Sequence, residues 1–462
     1  MALLIHGGRI ITPTEDFTGD IYAEHETITR IEPHIDAKLV ARGAEVIDAR
    51  GKYVFPGFID PHVHIYLPFM GTYAADDYAS ASKAALAGGT TTLIEMICPG
   101  PADEPVAAFE LWKSKAEKLA AVDYTFHMSV VRFEAHIREQ FREIVKAGVA
   151  SFKVFLAYKG ALNLSDEHLF AAMKFAKDLG VIVTAHCENA DAIDALQKSL
   201  LAAGQTGPEW HGPSRPPIVE ADGVHHLCTF AELLGTHVYI VHTSCSAALG
   251  EALAARQRGV NVWIESVIPH FVLDETYVER GQFEGAKYVM SPPLRAKANQ
   301  DVLWNGVKTR QISTIATDHA PFRFADQKKM GMDGFTKIPN GIPSVQERVD
   351  LVHTCGVAAG RLGLQTMVDA CSTQAAKLFG LYPRKGAIQL GSDADLVVYD
   401  PSHRGTFSKE CSHSNVDYNA YEGWEQKGRA SVVTVRGQVQ ARDGEFVGTI
   451  GRGQFLKREP TH

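Results

Sequence analysis

The 462-residue sequence predicts an α/β protein, a (β/α)8 barrel carrying a small β-sandwich built from both chain ends. Three observations predict it. The middle of the chain alternates β-rich and helical segments. The two ends share a β texture that the middle lacks. The chain also exceeds the ~250–300 residues at which one hydrophobic core stops growing.

The elements follow in order. Residues 1–55 contain LLIHGGRIITP, DIYAEHETITRI and AEVIDARGKYVF, which are alternating or β-branched with Gly and Asp turns between them. Eight β-rich segments come next: 57–64, 90–96, 124–130, 151–158, 181–188, 237–244, 260–267 and 312–319. Stretches such as EPVAAFELWKSKAEKLAA and SDEHLFAAMKFAKDLG between them have helical spacing. The first three segments start at 57, 90 and 124, a rhythm that fits the ~30 residues of a βαβ unit and hence a parallel sheet. Longer gaps after the fifth and seventh segments hold GPEWHGPSRPP and SPPLR, read as loop insertions at the active face. The barrel is placed at 56–385. The sandwich joins 1–55 to 386–445, where DADLVVYDP and ASVVTVRGQVQARDGEFVG repeat the β texture. Residues 446–462 form a polar, basic C-terminal arm.

Composition narrows the function. With 45% apolar and 22% charged residues, the chain is neither disordered nor collagenous nor a multispan membrane protein. A net charge of −8 argues against nucleic acid binding through the overall field. Seven cysteines, an odd number with no CxxC pair, predict a reducing compartment without disulfides. MALLIHGGRI lacks the basic start of a signal peptide, and no apolar run reaches the ~18 residues of a membrane span. A cytoplasmic location with no membrane partner is expected. Twenty histidines turn attention to imidazole chemistry.

Asp60-Pro61-His62-Val63-His64 is the strongest local signal. Positions i and i+2 of a strand face the same way, so His62 and His64 can chelate one ion. Alone, such a pair is more often just two partly exposed histidines. The other candidates fall at strand ends: His186 in segment five, His242 in segment six and Asp318 in segment eight. The C-terminal ends of barrel strands meet at one face, where catalytic residues concentrate. Lys153 lies inside the apolar SFKVFL, where burying an ammonium is costly. Two readings of Lys153 stay open on the residues alone. Its tip reaches solvent or a salt bridge, or its amine has added CO2 to become an anionic carbamate bridging two metals. Two divalent ions against Asp318, a carbamate and a hydroxide leave a residual positive charge that favours an anionic intermediate. Imidazole plus carboxylate suits Zn2+ best, with Mn2+, Fe2+ or Co2+ as alternatives.

The motifs PGFIDPHVH, SFKVFLAYKG, TAHCEN, VHTS, YVMSPPLR, ATDHAPF and PNGIP resemble those of the cyclic amidohydrolases of the dihydropyrimidinase and D-hydantoinase group. The likeness runs from GGRIITP to HSNVDYNAYEG. It implies that His62, His64 and Asp318 hold the more buried of two zinc ions, that His186 and His242 hold the second, and that Lys153 is the carboxylated bridge. It implies Asp318 as proton shuttle and Tyr158 as oxyanion donor, with backbone groups at Ser291 and Asn340 holding the ring amide. The implied reaction opens a dihydropyrimidine or 5-substituted hydantoin to an N-carbamoyl amino acid. Relatives form homotetramers, partly through the sandwich and the C-terminal arm.

Dihydroorotases carry Arg two residues after the second histidine; here Tyr66 stands there, which argues against an anionic ring. Leu67, Phe69 and Phe155 are expected to form an apolar wall for a ring substituent. Val63 replaces a common Thr. Glu95-Met96 stands where dihydropyrimidinases usually have Asp-His, and allantoinases and some L-hydantoinases have Glu-Met. Allantoin is therefore a rival substrate. A non-catalytic scaffold relative is the rival class, although such relatives lose the ligand residues kept here. His127, His270 and His319 are expected to support the ligands from behind, and Cys187 to be packing.

Overall fold

The computed structural model describes residues 2–462. Eight parallel strands run Phe58–Val63, Thr90–Ile97, Asp123–Ser129, Ser151–Phe155, Ile182–His186, Val238–Ile240, Val262–Val267 and Thr314–Ala316. Each pairs with the next in sequence, as a barrel requires. A bridge between Val63 and His319 joins the last strand to the first. The seam is reinforced by the fully buried Arg348, whose Nη1 donates to Ile59 O and Ile315 O, each at 2.8 Å. All eight expected segments are present. The fourth, sixth and eighth stop short of the expected ends, where Tyr158, His242 and Asp318 adopt left-handed backbone, φ 64°, 39° and 52°, which does not continue a ladder.

The helices begin and end on ordinary signals. Tyr78–Ala87 starts on a capping box between Asp77 and Ser80. Asp166–Leu179 starts on Ser165 and stops at Gly180, φ 68°. No helix among the described residues is long and apolar enough to cross a membrane. All seven cysteines are free.

The end segments form a nine-stranded, mostly antiparallel sheet, in which Tyr53–Pro56 pairs with Leu396–Thr406. Alternation divides its faces. Val54, Leu396 and Val398 join a core belonging to the sheet, while Phe55, Val397 and Tyr399 pack into the core shared with the barrel. The 446–462 arm lies against its own barrel, across the N-terminal ends of the strands. Leu456 N donates to Tyr124 O at 2.7 Å, Arg458 N to Gly148 O at 2.9 Å and His462 N to Gly180 O at 3.1 Å. The buried Arg458 guanidinium donates to Phe126 O and Ser151 Oγ.

Candidate functional site

At the opposite face, where the strands end, one cavity is lined by every residue expected to hold metal or touch substrate. His62, His64, Lys153, His186, His242 and Asp318 form its polar floor. Leu67, Phe69, Phe155 and Tyr158 form an apolar side, and Ser291 and Asn340 face it from the inserted loops. A larger apolar cavity adjoins it across Leu67, Phe69 and Leu162. Tyr158, His242 and Asp318 all have positive φ, at 64°, 39° and 52°. Each costs roughly 1–3 kcal/mol and is held only by its surroundings.

The floor has the geometry of a metal site. His62 Nε2 and His64 Nε2 each lie 3.2 Å from Asp318 Oδ1. His62 Nε2 is buried without a hydrogen bond, although Asp318 is so near. A tetrahedral ion with bonds of 2.0–2.2 Å spaces its donors ~3.4 Å apart, so these residues fit one. His62 Nδ1 is engaged by Glu265 Oε1 at 2.8 Å, which fixes Nε2 as the free donor. His186 Nε2 is engaged by Glu188 Oε2 at 2.7 Å, which leaves Nδ1. The rings of His186 and His242 are 4.5 Å apart, and those of His62 and His242 are 5.4 Å apart.

The electrostatics agree. Burial opposes charge on His62, yet Glu265 and Asp318 raise its imidazole to about 9, so the pocket favours a cation there. Burial also works against Asp318, but the neighbouring His62 and His64 hold its carboxyl well below the usual range. Burial lowers His186 and His242, which keeps both neutral as ligands must be. Lys153 is 1% exposed, so its tip does not reach solvent. Burial pushes its ammonium below the usual lysine value. Burial pushes the Tyr158 phenol up to about 12, which keeps it a neutral donor.

Several supporting residues carry no recognisable sequence signal. Glu265 lies in the apolar seventh strand and accepts from His62, from His242 N at 2.9 Å and from Tyr239 Oη at 2.7 Å. Arg215, in the loop after the fifth strand, donates to Glu188 at 2.6 Å. The wholly buried Lys328 donates to Val289 O, Pro339 O and Gly341 O at 2.9, 2.7 and 2.7 Å. It thereby joins the segments carrying Ser291 and Asn340. Cys98 also lines the cavity. The histidines read as support do hold structure behind the floor. His127 Nε2 contacts Pro61 O at 2.9 Å, His270 Nε2 contacts Pro292 O at 3.1 Å and His319 Nε2 contacts Asp76 at 2.9 Å. Cys187 packs in the barrel core. Glu95 accepts from Ile65 N at 3.0 Å, Tyr66 N at 2.7 Å and the Tyr78 hydroxyl, so it anchors the loop after His64. Tyr66 stacks on Tyr73, with ring centroids 5.5 Å apart.

A profile of the amidohydrolase family matches residues 53–440. The chain belongs to the amidohydrolase family. A D-hydantoinase of Geobacillus stearothermophilus is 43% identical over 459 residues, covering 99% of this chain and 97% of that protein. A dihydropyrimidinase of Arabidopsis thaliana is 36% identical over 460 residues, covering 99% and 86%. The solved D-hydantoinase (dihydropyrimidinase) of a Thermus species superimposes with a TM-score of 0.97 at 57% identity over 99% of both chains. Within the family the chain groups with the D-hydantoinases and dihydropyrimidinases.

Proposed function

We propose that this protein hydrolytically opens dihydropyrimidines or 5-substituted hydantoins to N-carbamoyl amino acids at a centre of two zinc ions. The convergence of four imidazoles, Lys153 and Asp318 on the floor of one half-apolar cavity carries the reading. In it, His62, His64 and Asp318 would hold one ion and His186 and His242 the other, with Lys153, as N6-carboxylysine, supplying a carboxylate to the pair. The same burial that disfavours the Lys153 ammonium favours the free amine, which adds CO2 and releases a proton.

The bound metal supplies the Lewis acidity that polarises the ring carbonyl and acidifies the attacking water. Asp318, held ionised by its histidines, accepts the proton of that water and returns it to the departing ring nitrogen. Tyr158 donates a hydrogen bond to the carbonyl oxygen as negative charge develops on it. Ser291 and Asn340, linked by an Asn340 Nδ2 to Ser291 Oγ bond of 2.9 Å, orient the ring amide. Leu67, Phe69 and Phe155 receive the substituent. No guanidinium lines the cavity among the described residues, so a neutral ring suits it.

Dihydrouracil, phenylhydantoin and allantoin assayed side by side on zinc-replete protein test this reading. Ring opening of the first two, with about two zinc ions per chain, is expected. No opening of any of the three overturns it, and turnover of allantoin alone reassigns the substrate. A Lys153→Ala variant with full metal and full activity overturns the bridging role.

A further inference from the structure

The centre described above uses four histidines. Two others converge on a different carboxylate, in the terminal sheet. His6 lies in the strand Ala2–Ile11 and Asp20 in its antiparallel partner Asp16–Glu24. His34 follows the edge strand Thr27–Glu32. The first pair of strands slips register between Ile5 and Gly8, where Gly7 has φ 69°. Such a bulge re-aims its neighbours. Here it brings both the His6 ring and the Gly7 N–H onto Asp20.

Asp20 is held ready to bind. Gly7 N donates to its Oδ1 at 2.6 Å and Ile35 N to its Oδ2 at 2.7 Å. The carboxylate side chain is 1% exposed and locked by main chain on both oxygens. His6 Nδ1 lies 3.1 Å and His34 Nδ1 3.5 Å from Oδ2, with the two rings 5.7 Å apart. The catalytic floor repeats this arrangement, with two imidazoles 3.2 Å from one carboxylate oxygen and rings 5.3 Å apart. In both clusters the imidazole-to-carboxylate distances fall near the ~3.4 Å donor spacing of a tetrahedral ion, and all three donor atoms lie within 4.8 Å of one another. A hydrogen bond to Asp20 accounts for His6 alone. His34 is 71% exposed and free to turn into solvent, yet it faces the same oxygen at a distance beyond a normal hydrogen bond. Asp48, the other nearby acid, is occupied by Arg50 at 2.6 Å.

We infer that His6, Asp20 and His34 form a second metal site, separate from the catalytic floor, that takes a divalent transition-metal ion. Two imidazoles and a carboxylate favour Zn2+, with water in the remaining position. The ion staples the chain leaving the edge strand to the two strands beside it. The stability of the sheet then responds to zinc independently of catalysis.

The full-length protein, with its catalytic centre loaded, is equilibrated against graded zinc chloride, and bound metal is counted for wild type, His34→Ala and His6→Ala. Wild type is expected to bind one more equivalent than either variant, at equal kcat. Its melting temperature should rise with added zinc while that of His34→Ala does not. Equal zinc uptake by wild type and His34→Ala, or the same zinc-induced melting shift in both, overturns the site. His34 is exposed, so its replacement leaves folding intact, and the difference between chains does not depend on how many ions the catalytic floor holds.

Discussion

Glu265 Oε1 lies 2.8 Å from His62 Nδ1, and neither side chain is more than 1% exposed. The carboxylate sets the tautomer that presents Nε2 to the floor of the cavity. A partner of this kind contributes about 10–100-fold to metal affinity. Glu265→Gln is therefore expected to lose metal at free zinc concentrations that saturate wild type, while melting near wild type when metal is in excess. Metal content measured across zinc buffers checks this. An unchanged affinity would remove Glu265 from the centre.

Tyr158→Phe keeps the ring against Phe69, whose centroid is 5.4 Å away, and removes only the hydroxyl. A loss of about 100–1000-fold in kcat is expected, with metal content unchanged. Because burial raises the phenol to about 12, its proton stays in place well past neutrality. Activity that requires that proton is lost only as pH rises through about 12, so wild-type kcat should show no falling limb from this group below pH ~10. A Tyr158→Phe enzyme with wild-type kcat would refute the donor role.

Lys328 binds three carbonyls and no carboxylate. Replacing it with Met unties the segments carrying Ser291 and Asn340 while leaving the histidines, Lys153 and Asp318 of the floor untouched. A displacement on the order of 1 Å at the reacting centre costs about 100-fold, so kcat/KM should fall by roughly that factor with metal content preserved. Steady-state kinetics with parallel metal analysis decide the point.

Asp350 is buried beneath the terminal sheet and accepts from Gln426 Nε2 at 2.6 Å. Burial raises its carboxyl from 3.8 to about 7. Between those values the folded chain keeps a proton that the unfolded chain has released. Its contribution to stability is thus full in acid and is lost as pH rises through about 7. Asp350→Asn removes that slope. Relative to wild type, the variant should melt higher at pH 8 than it does at pH 5, as read by calorimetry at both pH values.

The barrel and the members of its floor were legible in sequence because each is a local pattern tied to a strand end. Two histidines two apart share a face, and Lys153 in an apolar strand stands out by cost alone. Glu265, Arg215 and Lys328 were not legible. Each is defined by partners on other elements, and in sequence each is one charge among many. The early ends of the sixth and eighth strands were hidden for a related reason: nothing in Val241-His242 or Thr317-Asp318 announces a left-handed residue of this type, since tertiary contacts impose it. The docking of the arm was invisible because GRGQFLKREPTH reads as solvated, yet Arg458 is buried.

Gly57 N donates to Asp395 O at 2.7 Å, and Pro56 pairs with Leu396, so the chain enters and leaves the barrel at one spot on one sheet. Those partners are separated by most of the sequence. Joining them closes a very long loop, which makes a large entropic demand before the contact is rewarded. Once joined, the sheet acts as a clasp. The barrel cannot open at its ends without parting the clasp, and the clasp has little reason to hold if the barrel dissolves, because Phe55, Val397 and Tyr399 share its core. The two parts should therefore melt together, in one transition rather than two.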